Sequence, residues 1–162
     1  MKGQILSILK QSNTLPFLFV GSGLSRRYLK LEDWESLLRK FAMQAKAEEF
    51  SYELYVQNAE ILGNKEGVLP KVAELIENDY NQKWFSSDEY SANREKHLSE
   101  IKRRVSPFKI EIGEYMIRKS EQLNKEYVKE IELFKQIGNK SVAGFITTNY
   151  DVFLENMFPN FS

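Results

Sequence analysis

The feature that most constrains the fold is a continuous apolar run that ends in two closely spaced glycines. Residues 17–20 read FLFV, and residues 21–25 read GSGLS. A run that is apolar on both faces is typical of a central parallel strand covered by helices on both sides. Apolar residues then recur at helical spacing over residues 34–45, with Asp33 as the predicted N-cap. Strand, glycine loop and helix are the opening unit of a nucleotide-binding fold.

The glycine loop has the chemistry of a phosphate-binding turn. Glycine at positions 21 and 23 removes the Cβ atoms that would keep a phosphate away from backbone N–H groups. Ser22 and Ser25 can add hydroxyl donors. A Walker A loop is excluded because no GK[ST] follows. The alternative is a tight strand-to-helix turn that binds no ligand.

A second strand candidate ends in a group of polar residues. Residues 142–148 read VAGFITT, and Asn149, Tyr150 and Asp151 follow. Ligands bind at the carboxyl ends of strands in open α/β sheets, and amide and carboxylate groups can hydrogen-bond sugar hydroxyls. This pattern indicates a ribose-binding site. The alternative is that Asp151 caps the helix that follows and Asn149 forms a turn.

The middle of the chain is predicted to be helical. Three apolar stripes recur at helical spacing, within residues 52–62, 69–80 and 123–134. Gly138 is predicted to end the third helix. Residues 84–105 are charged and weakly periodic, which favours a loop, and residues near 109–112 could instead form a strand. A short amphipathic helix is predicted at residues 5–9.

The predicted fold class is α/β, with a Rossmann-like parallel sheet and a large helical insertion at about residues 50–138, between the glycine loop and the TTNYD strand. Two strands are few, since sheets typically have about five or six. We therefore expect the sheet to be incomplete and residues 1–162 to be the N-terminal part of a single domain.

Charge and composition argue against several functions. The 23 basic and 23 acidic residues give a formal net charge of +0, so neither nucleic acid nor a membrane surface is expected as a partner. No apolar run approaches the roughly 20 residues that span a bilayer. The absence of cysteine excludes disulfides and thiolate zinc sites, and no metal is expected. We predict a cytoplasmic protein.

The two motifs together resemble the sirtuin-like family. FVGSGLS, a tryptophan-containing amphipathic helix and FITTNYD occur in the order of that family's GAG[IV]S and TQNID-type motifs. The resemblance covers about residues 17–42 and 142–157 and is closest to a bacterial antiphage-defence branch that carries TTNYD. It implies hydrolysis of NAD to nicotinamide and ADP-ribose, which starves the infected cell.

The resemblance also implies roles for individual residues. Asn149 matches the asparagine that orients the nicotinamide-side ribose and is needed for cleavage, so it is the predicted catalytic residue. Asp151 matches the acidic residue that contacts the ribose or holds the loop, and Thr148 stands where deacetylases have glutamine. The remaining predicted contacts to NAD come from the glycine loop and the residue after it: Gly21, Ser22, Gly23, Leu24, Ser25 and Arg26.

Three departures from the family pattern limit what the resemblance implies. The chain has no four-cysteine zinc ribbon, which speaks against protein deacetylation. Residues 26–31 replace the family's Gly-Pro or Asp-Phe-Arg element. The family's catalytic histidine follows the asparagine motif, whereas the single histidine here, His97, precedes it in a charged stretch and is predicted to be a surface residue. We therefore expect residues 1–162 alone to turn over little NAD.

Two other functions are compatible with the same sequence. The domain could sense NAD or ADP-ribose without cleaving it, or the aromatic-rich helices could form an oligomerisation or partner surface beside a degenerate site. The resemblance adds a homo-oligomer and regulation by a phage-derived activator or an attached sensor domain as expectations, by analogy only.

Overall fold

The computed structural model describes residues 14–63 and 67–161. Helices take up 70% of these residues. Two strands, nine α-helices and two 3₁₀ turns (Asp88–Tyr90 and Lys125–Tyr127) are described. In chain order the strands and α-helices are β1 Phe17–Val20, α1 Ser22–Leu29, α2 Trp34–Ala45, α3 Ser51–Leu62, α4 Val68–Ser86, α5 Ser91–Lys96, α6 Leu98–Lys102, α7 Pro107–Ser120, α8 Val128–Ser141, β2 Gly144–Thr147 and α9 Phe153–Met157.

The two strands pair in parallel. Phe17 lies opposite Gly144 and Val20 lies opposite Thr147, so both strands end at the same edge. Side chains alternate between the two faces of the pair. Val20 is buried on one face, whereas Phe17 and Phe19 on the other are 63% and 70% exposed.

The predicted α/β fold class is wrong. Among the described residues the sheet consists of two four-residue strands, and the protein is mostly helical rather than a Rossmann-like α/β fold. The physical reason lies in β1, where Phe17 and Phe19 are exposed instead of being covered by a helix. A run of four apolar residues does not distinguish a strand buried on both faces from one buried on a single face.

The chain divides into two compact units. The first contains the described residues of Met1–Leu31 together with Tyr115–Ser162, and the second is Glu32–Glu114. The predicted helical insertion at residues 50–138 overlaps both. The first unit has a core to which β1, α1, α8 and α9 contribute, with these buried members: Val20, Tyr28, Leu29, Ile131, Phe153, Leu154, Met157 and Phe158.

The second unit is helical, and α2, α3 and α4 pack against one another. The predicted N-cap of α2 is confirmed, because Asp33 Oδ1 accepts a hydrogen bond of 2.9 Å from the Ser36 N–H. The first two apolar stripes lie on α3 and α4 as predicted. The third begins in a turn, since α8 starts only at Val128.

Other local predictions are wrong. The segment predicted to be a loop at residues 84–105 contains the end of α4, a 3₁₀ turn, α5 and α6, and its first residue, Trp84, is buried. Residues 109–112 lie within α7 and are not a strand. Gly138 does not end α8, which continues to Ser141. The helix predicted at residues 5–9 lies outside the described residues.

Within residues 14–63 and 67–161, none of the helices has both the length and the apolar character that a membrane span requires.

Gly138 is required by packing. A Cβ at this position would collide with the ring of Phe158 and approach Phe145 to 3.0 Å. These two rings are stacked with their centroids 4.4 Å apart, and Phe158 is buried, so neither can move aside freely. At Gly113, on α7, an added Cβ would have no other atom within 4 Å.

We predict opposite effects of alanine at these two helical glycines. Gly138→Ala should lower the free energy of unfolding by about 1–3 kcal/mol, because overpacking exceeds the gain in helix propensity. Gly113→Ala should raise it by about 0.5–1 kcal/mol. Urea unfolding followed by circular dichroism measures both changes. Equal stabilisation by the two substitutions would contradict the packing around Phe158.

Candidate functional site

The candidate site begins at the N-terminus of α1, directly after β1. Gly21 precedes the helix with φ −98° and ψ −178° and, as a glycine, supplies no side chain to cap the first turn. A Cβ on Gly21 or Gly23 would meet nothing within 4 Å. Neither backbone conformation nor internal packing therefore requires these glycines. Their lack of a side chain leaves the space beside the first-turn N–H groups open to a ligand, and such groups attract anions.

The opposite face of α1 fixes the helix to the core of its unit. Tyr28 and Leu29 are buried members of that core, and Leu24 packs against it while partly exposed. Leu24, predicted to contact NAD, thus has a packing role in the structure. Gly21, Ser22 and Gly23 are exposed, and Ser25 is buried.

Asn149, after β2, is hydrogen-bonded to the glycine loop. Its Nδ2 donates to the Gly21 carbonyl over 3.2 Å and to Ser25 Oγ over 2.9 Å. Asn149 and Ser25 are 124 positions apart in the sequence. The two motifs meet because β1 and β2 are parallel and end at the same edge.

Asp151 completes the connection between the two segments. Ser25 Oγ donates to Asp151 Oδ2 over 2.6 Å, and Asp151 Oδ1 accepts from the Phe153 N–H at the start of α9 over 3.1 Å. The carboxylate is buried and uses both oxygens within the protein. Asp151 therefore holds the loop and the start of α9, which was one of the roles the sequence left open.

The partners of Asn149 determine the orientation of its amide. The Gly21 carbonyl can only accept a hydrogen bond, so the nitrogen must face it. Both Nδ2 donors are then used by Gly21 and Ser25. Among the described residues nothing donates to the Oδ1 atom, which can therefore accept a hydrogen bond from a ligand hydroxyl.

The other predicted residues lie around this network. The Asn149 N–H donates to Thr147 Oγ1 over 3.0 Å, which closes the turn after β2. Thr148 is exposed, and Tyr150 beside it is 82% exposed. Arg26 is exposed on the same helix as the glycine loop. The structure thus brings Gly21, Ser25, Asn149 and Asp151 into one network and does not link Thr148 or Arg26 to it.

A surface pocket of about 510 Å³ borders the glycine loop. Most residues of its lining were not among the predicted site residues. The lining consists of Gly23, Arg26, Arg27, Lys30, Leu31, Asn124 and Tyr127. Positions 23, 26, 27 and 30 follow helical spacing, a signal that could have identified one face of α1. The 3₁₀ turn that supplies Tyr127 gave no comparable signal.

One ion pair, between Arg27 and Glu130, lies at this pocket. Arg27 donates to Glu130 Oε2 through Nε over 3.1 Å and through Nη2 over 2.8 Å. The hydrogen bond from Arg27 holds the pKa of Glu130 below its usual value, and the same bond raises the pKa of Arg27. The pair is exposed, so it contributes to orientation more than to stability.

His97 is not the surface residue predicted from the sequence. It belongs to the second unit and is only 9% exposed. Its Nε2 lies 3.2 Å from Glu114 Oε1 and, in the part of the chain described, makes no hydrogen bond. The surrounding charges in the sequence did not reveal this burial. Across the described ranges, no three His, Asp or Glu side chains form a group that could hold a metal ion.

Comparisons with protein-family models, with curated proteins and with solved structures give no significant match.

Ser25 is predicted to stabilise the network that joins the two motifs. Ser25→Ala removes the donor to Asp151 and the acceptor of Asn149, and leaves a buried carboxylate oxygen without its partner. We expect the free energy of unfolding to fall by about 1–3 kcal/mol. Thr148→Ala, an exposed control, should change it by less than about 0.5 kcal/mol. Chemical denaturation of both variants measures this, and a negligible effect of Ser25→Ala would contradict the network.

Proposed function

We propose that this chain binds NAD at the edge where β1 and β2 end, and that it is the NAD-binding part of an NAD glycohydrolase. The products are nicotinamide and ADP-ribose. The observation that carries the proposal is the pair of hydrogen bonds from Asn149 Nδ2 to Gly21 and Ser25, which joins the two motifs in one site.

The diphosphate of NAD is bound at the first turn of α1. The positive end of the helix and its uncapped N–H groups favour an anion there. Gly21 and Gly23 let the phosphate oxygens approach the backbone closely, and Ser22, exposed between them, adds a hydroxyl donor. This remote contact supplies binding energy without touching the bond that breaks.

The nicotinamide-side ribose is oriented by Asn149 Oδ1. The bond to nicotinamide already has a cationic leaving group, so no acid is needed to expel it. Catalysis then consists of holding the sugar in a reactive geometry and stabilising the oxocarbenium ion as it develops. Asn149, fixed by Ser25 and Gly21, accepts a hydrogen bond from a ribose hydroxyl. Asp151 is a positioning residue that acts through Ser25.

A second candidate is a sensor that binds NAD or ADP-ribose without cleaving it. One observation favours it. The buried Asp151 carboxylate is already engaged by Ser25 and Phe153, so it is not free to activate water.

The biological role that we infer for the hydrolase is depletion of NAD in an infected bacterium. It rests on the FVGSGLS and FITTNYD resemblance alone. Self-association and activation by a phage-derived molecule or an attached sensor belong to the same inference.

Binding is tested by thermal unfolding in the presence of NAD or ADP-ribose. A ligand that binds only the folded state adds about 2.7 kcal/mol of stability at 100 times its Kd, so the midpoint should rise. Asn149→Ala should reduce or abolish this rise. Asn156→Ala, an exposed asparagine in the same unit, is the matched control and should retain it. The absence of any shift with either ligand would contradict the proposal and favour an interaction module.

Cleavage is tested by chromatography of nicotinamide with protein in excess over NAD. We expect slow release that Asn149→Ala abolishes, because Asn149 orients the ribose through hydrogen bonds that fix it to Gly21 and Ser25. Binding with no release at all, even after long incubation, would favour the sensor. Release that is unchanged in Asn149→Ala would contradict the role of Asn149.

A further inference from the structure

The pocket beside the glycine loop has a cationic lining, and of its charged residues only Arg26 is among the predicted NAD contacts. Gly23, Arg26, Arg27 and Lys30 lie along one face of α1 and its C-terminal end, and Asn124 and Tyr127 close the opposite side. Three of the lining side chains carry a positive charge, and none carries a negative charge. In a chain with a formal net charge of +0, this is a local excess of cations.

Arg27 is held in a fixed orientation. Its guanidinium stacks over the ring of Tyr127, with 4.1 Å from Cζ to the ring centroid, and it is hydrogen-bonded to Glu130. The Asn124 Nδ2 donates to the Arg27 carbonyl, and the Asn124 N–H donates to the Tyr28 carbonyl over 2.7 Å. These contacts fix the turn that carries Tyr127 against the end of α1. An arginine positioned in this way loses little entropy when it binds a further anion.

Lys30 occupies a backbone conformation that favours glycine. Its φ of 52° and ψ of 36° are left-handed, and Arg104 is the other non-glycine residue with positive φ in the described ranges. Glycine is the usual residue at such a helix end. A lysine in this conformation costs conformational energy relative to glycine, and its side chain lines the pocket.

Two of the three cations have no partner among residues 14–63 and 67–161. In the described part of the chain, neither the Arg26 nor the Lys30 side chain forms an ion pair or hydrogen bond. The helix dipole favours positive charge at the end of α1, but it does not require the left-handed Lys30 or the stacked Arg27. An external anion would pair with Arg26 and Lys30 and could also accept from Arg27 Nη1, which the bonds to Glu130 leave unused.

We propose that this pocket is an anion site for a phosphate monoester. Such a group carries close to two negative charges at neutral pH and three acceptor oxygens. Arg26, Lys30 and the remaining Nη1 of Arg27 are the donors that the pocket supplies, and Gly23 leaves the wall nearest the loop open. The phosphate belongs either to a separate small molecule or to a phosphorylated dinucleotide. This site does not depend on the proposed NAD hydrolysis.

Lys30→Gly and Arg104→Gly form a matched pair that tests the site. Each removes one cation, and each places glycine where the backbone is left-handed, so neither should unfold the protein. Inorganic phosphate is titrated into the whole chain and followed by two-dimensional NMR at constant ionic strength. Saturable binding is expected in the parent, at least about tenfold weaker in Lys30→Gly and unchanged in Arg104→Gly. Arg26→Gln should weaken binding to a similar extent.

Two results would overturn the proposal. One is the absence of saturable phosphate binding by the parent. The other is equal weakening by Arg104→Gly, which would show that only overall charge matters. Thermal unfolding of both glycine variants, with midpoints no lower than the parent, confirms that a loss of binding is not a loss of folding.

Parallel titrations with NAD and NADP identify the source of the phosphate. Tighter binding of NADP, with an advantage that Lys30→Gly removes, assigns the pocket to a phosphate on the dinucleotide. Equal binding of both, together with phosphate binding that NAD does not alter, assigns it to a separate molecule. If NAD fails to bind while phosphate still binds, the proposed function is wrong and the phosphate site is supported. If NAD binds while phosphate does not, the phosphate site is wrong and the proposed function is unaffected.

Discussion

The candidate site depends on a chain of hydrogen bonds from Asn149 through Ser25 to Asp151. Each group in it has a defined direction, because Asn149 donates to Ser25, Ser25 donates to Asp151, and Asp151 accepts from the start of α9. Ser25 and Asp151 are buried, where an unpaired carboxylate or hydroxyl costs free energy. The same bonds that stabilise the first unit therefore position Asn149 beside the glycine loop.

The aromatic core beneath the site supports this geometry. Val20 at the end of β1 and Tyr28 on α1 pack with Phe153 on α9, so both motifs are anchored in one cluster. The two strands provide the common edge, and the helices provide most of the buried residues of the core. A mostly helical unit can thus bring a loop and a strand end together without a large sheet. The candidate site therefore does not require the α/β fold class that the sequence predicted.

Local signals in the sequence predicted the elements better than the architecture. Both strands and α2 follow from apolar patterns with clear boundaries, such as Asp33. The predicted fold class was wrong because the exposure of Phe17 and Phe19 depends on tertiary packing, which a run of four apolar residues does not determine. The same limit applies to His97, which is buried despite charged neighbours, and to Lys30, whose left-handed backbone has no sequence signature. For Asp151 the sequence left two roles open, contact with the ribose or support of the loop, and its hydrogen bond to Ser25 corresponds to the second.

The most direct test of the account is an NMR titration of the isotopically labelled chain with NAD. If the two motifs form one site, the amide signals of Gly21 and Gly23 and the side-chain NH₂ signal of Asn149 should shift together, with a single Kd. Shifts confined to residues outside the two motifs, or no shift at saturating NAD, would contradict the claim that they form one NAD site.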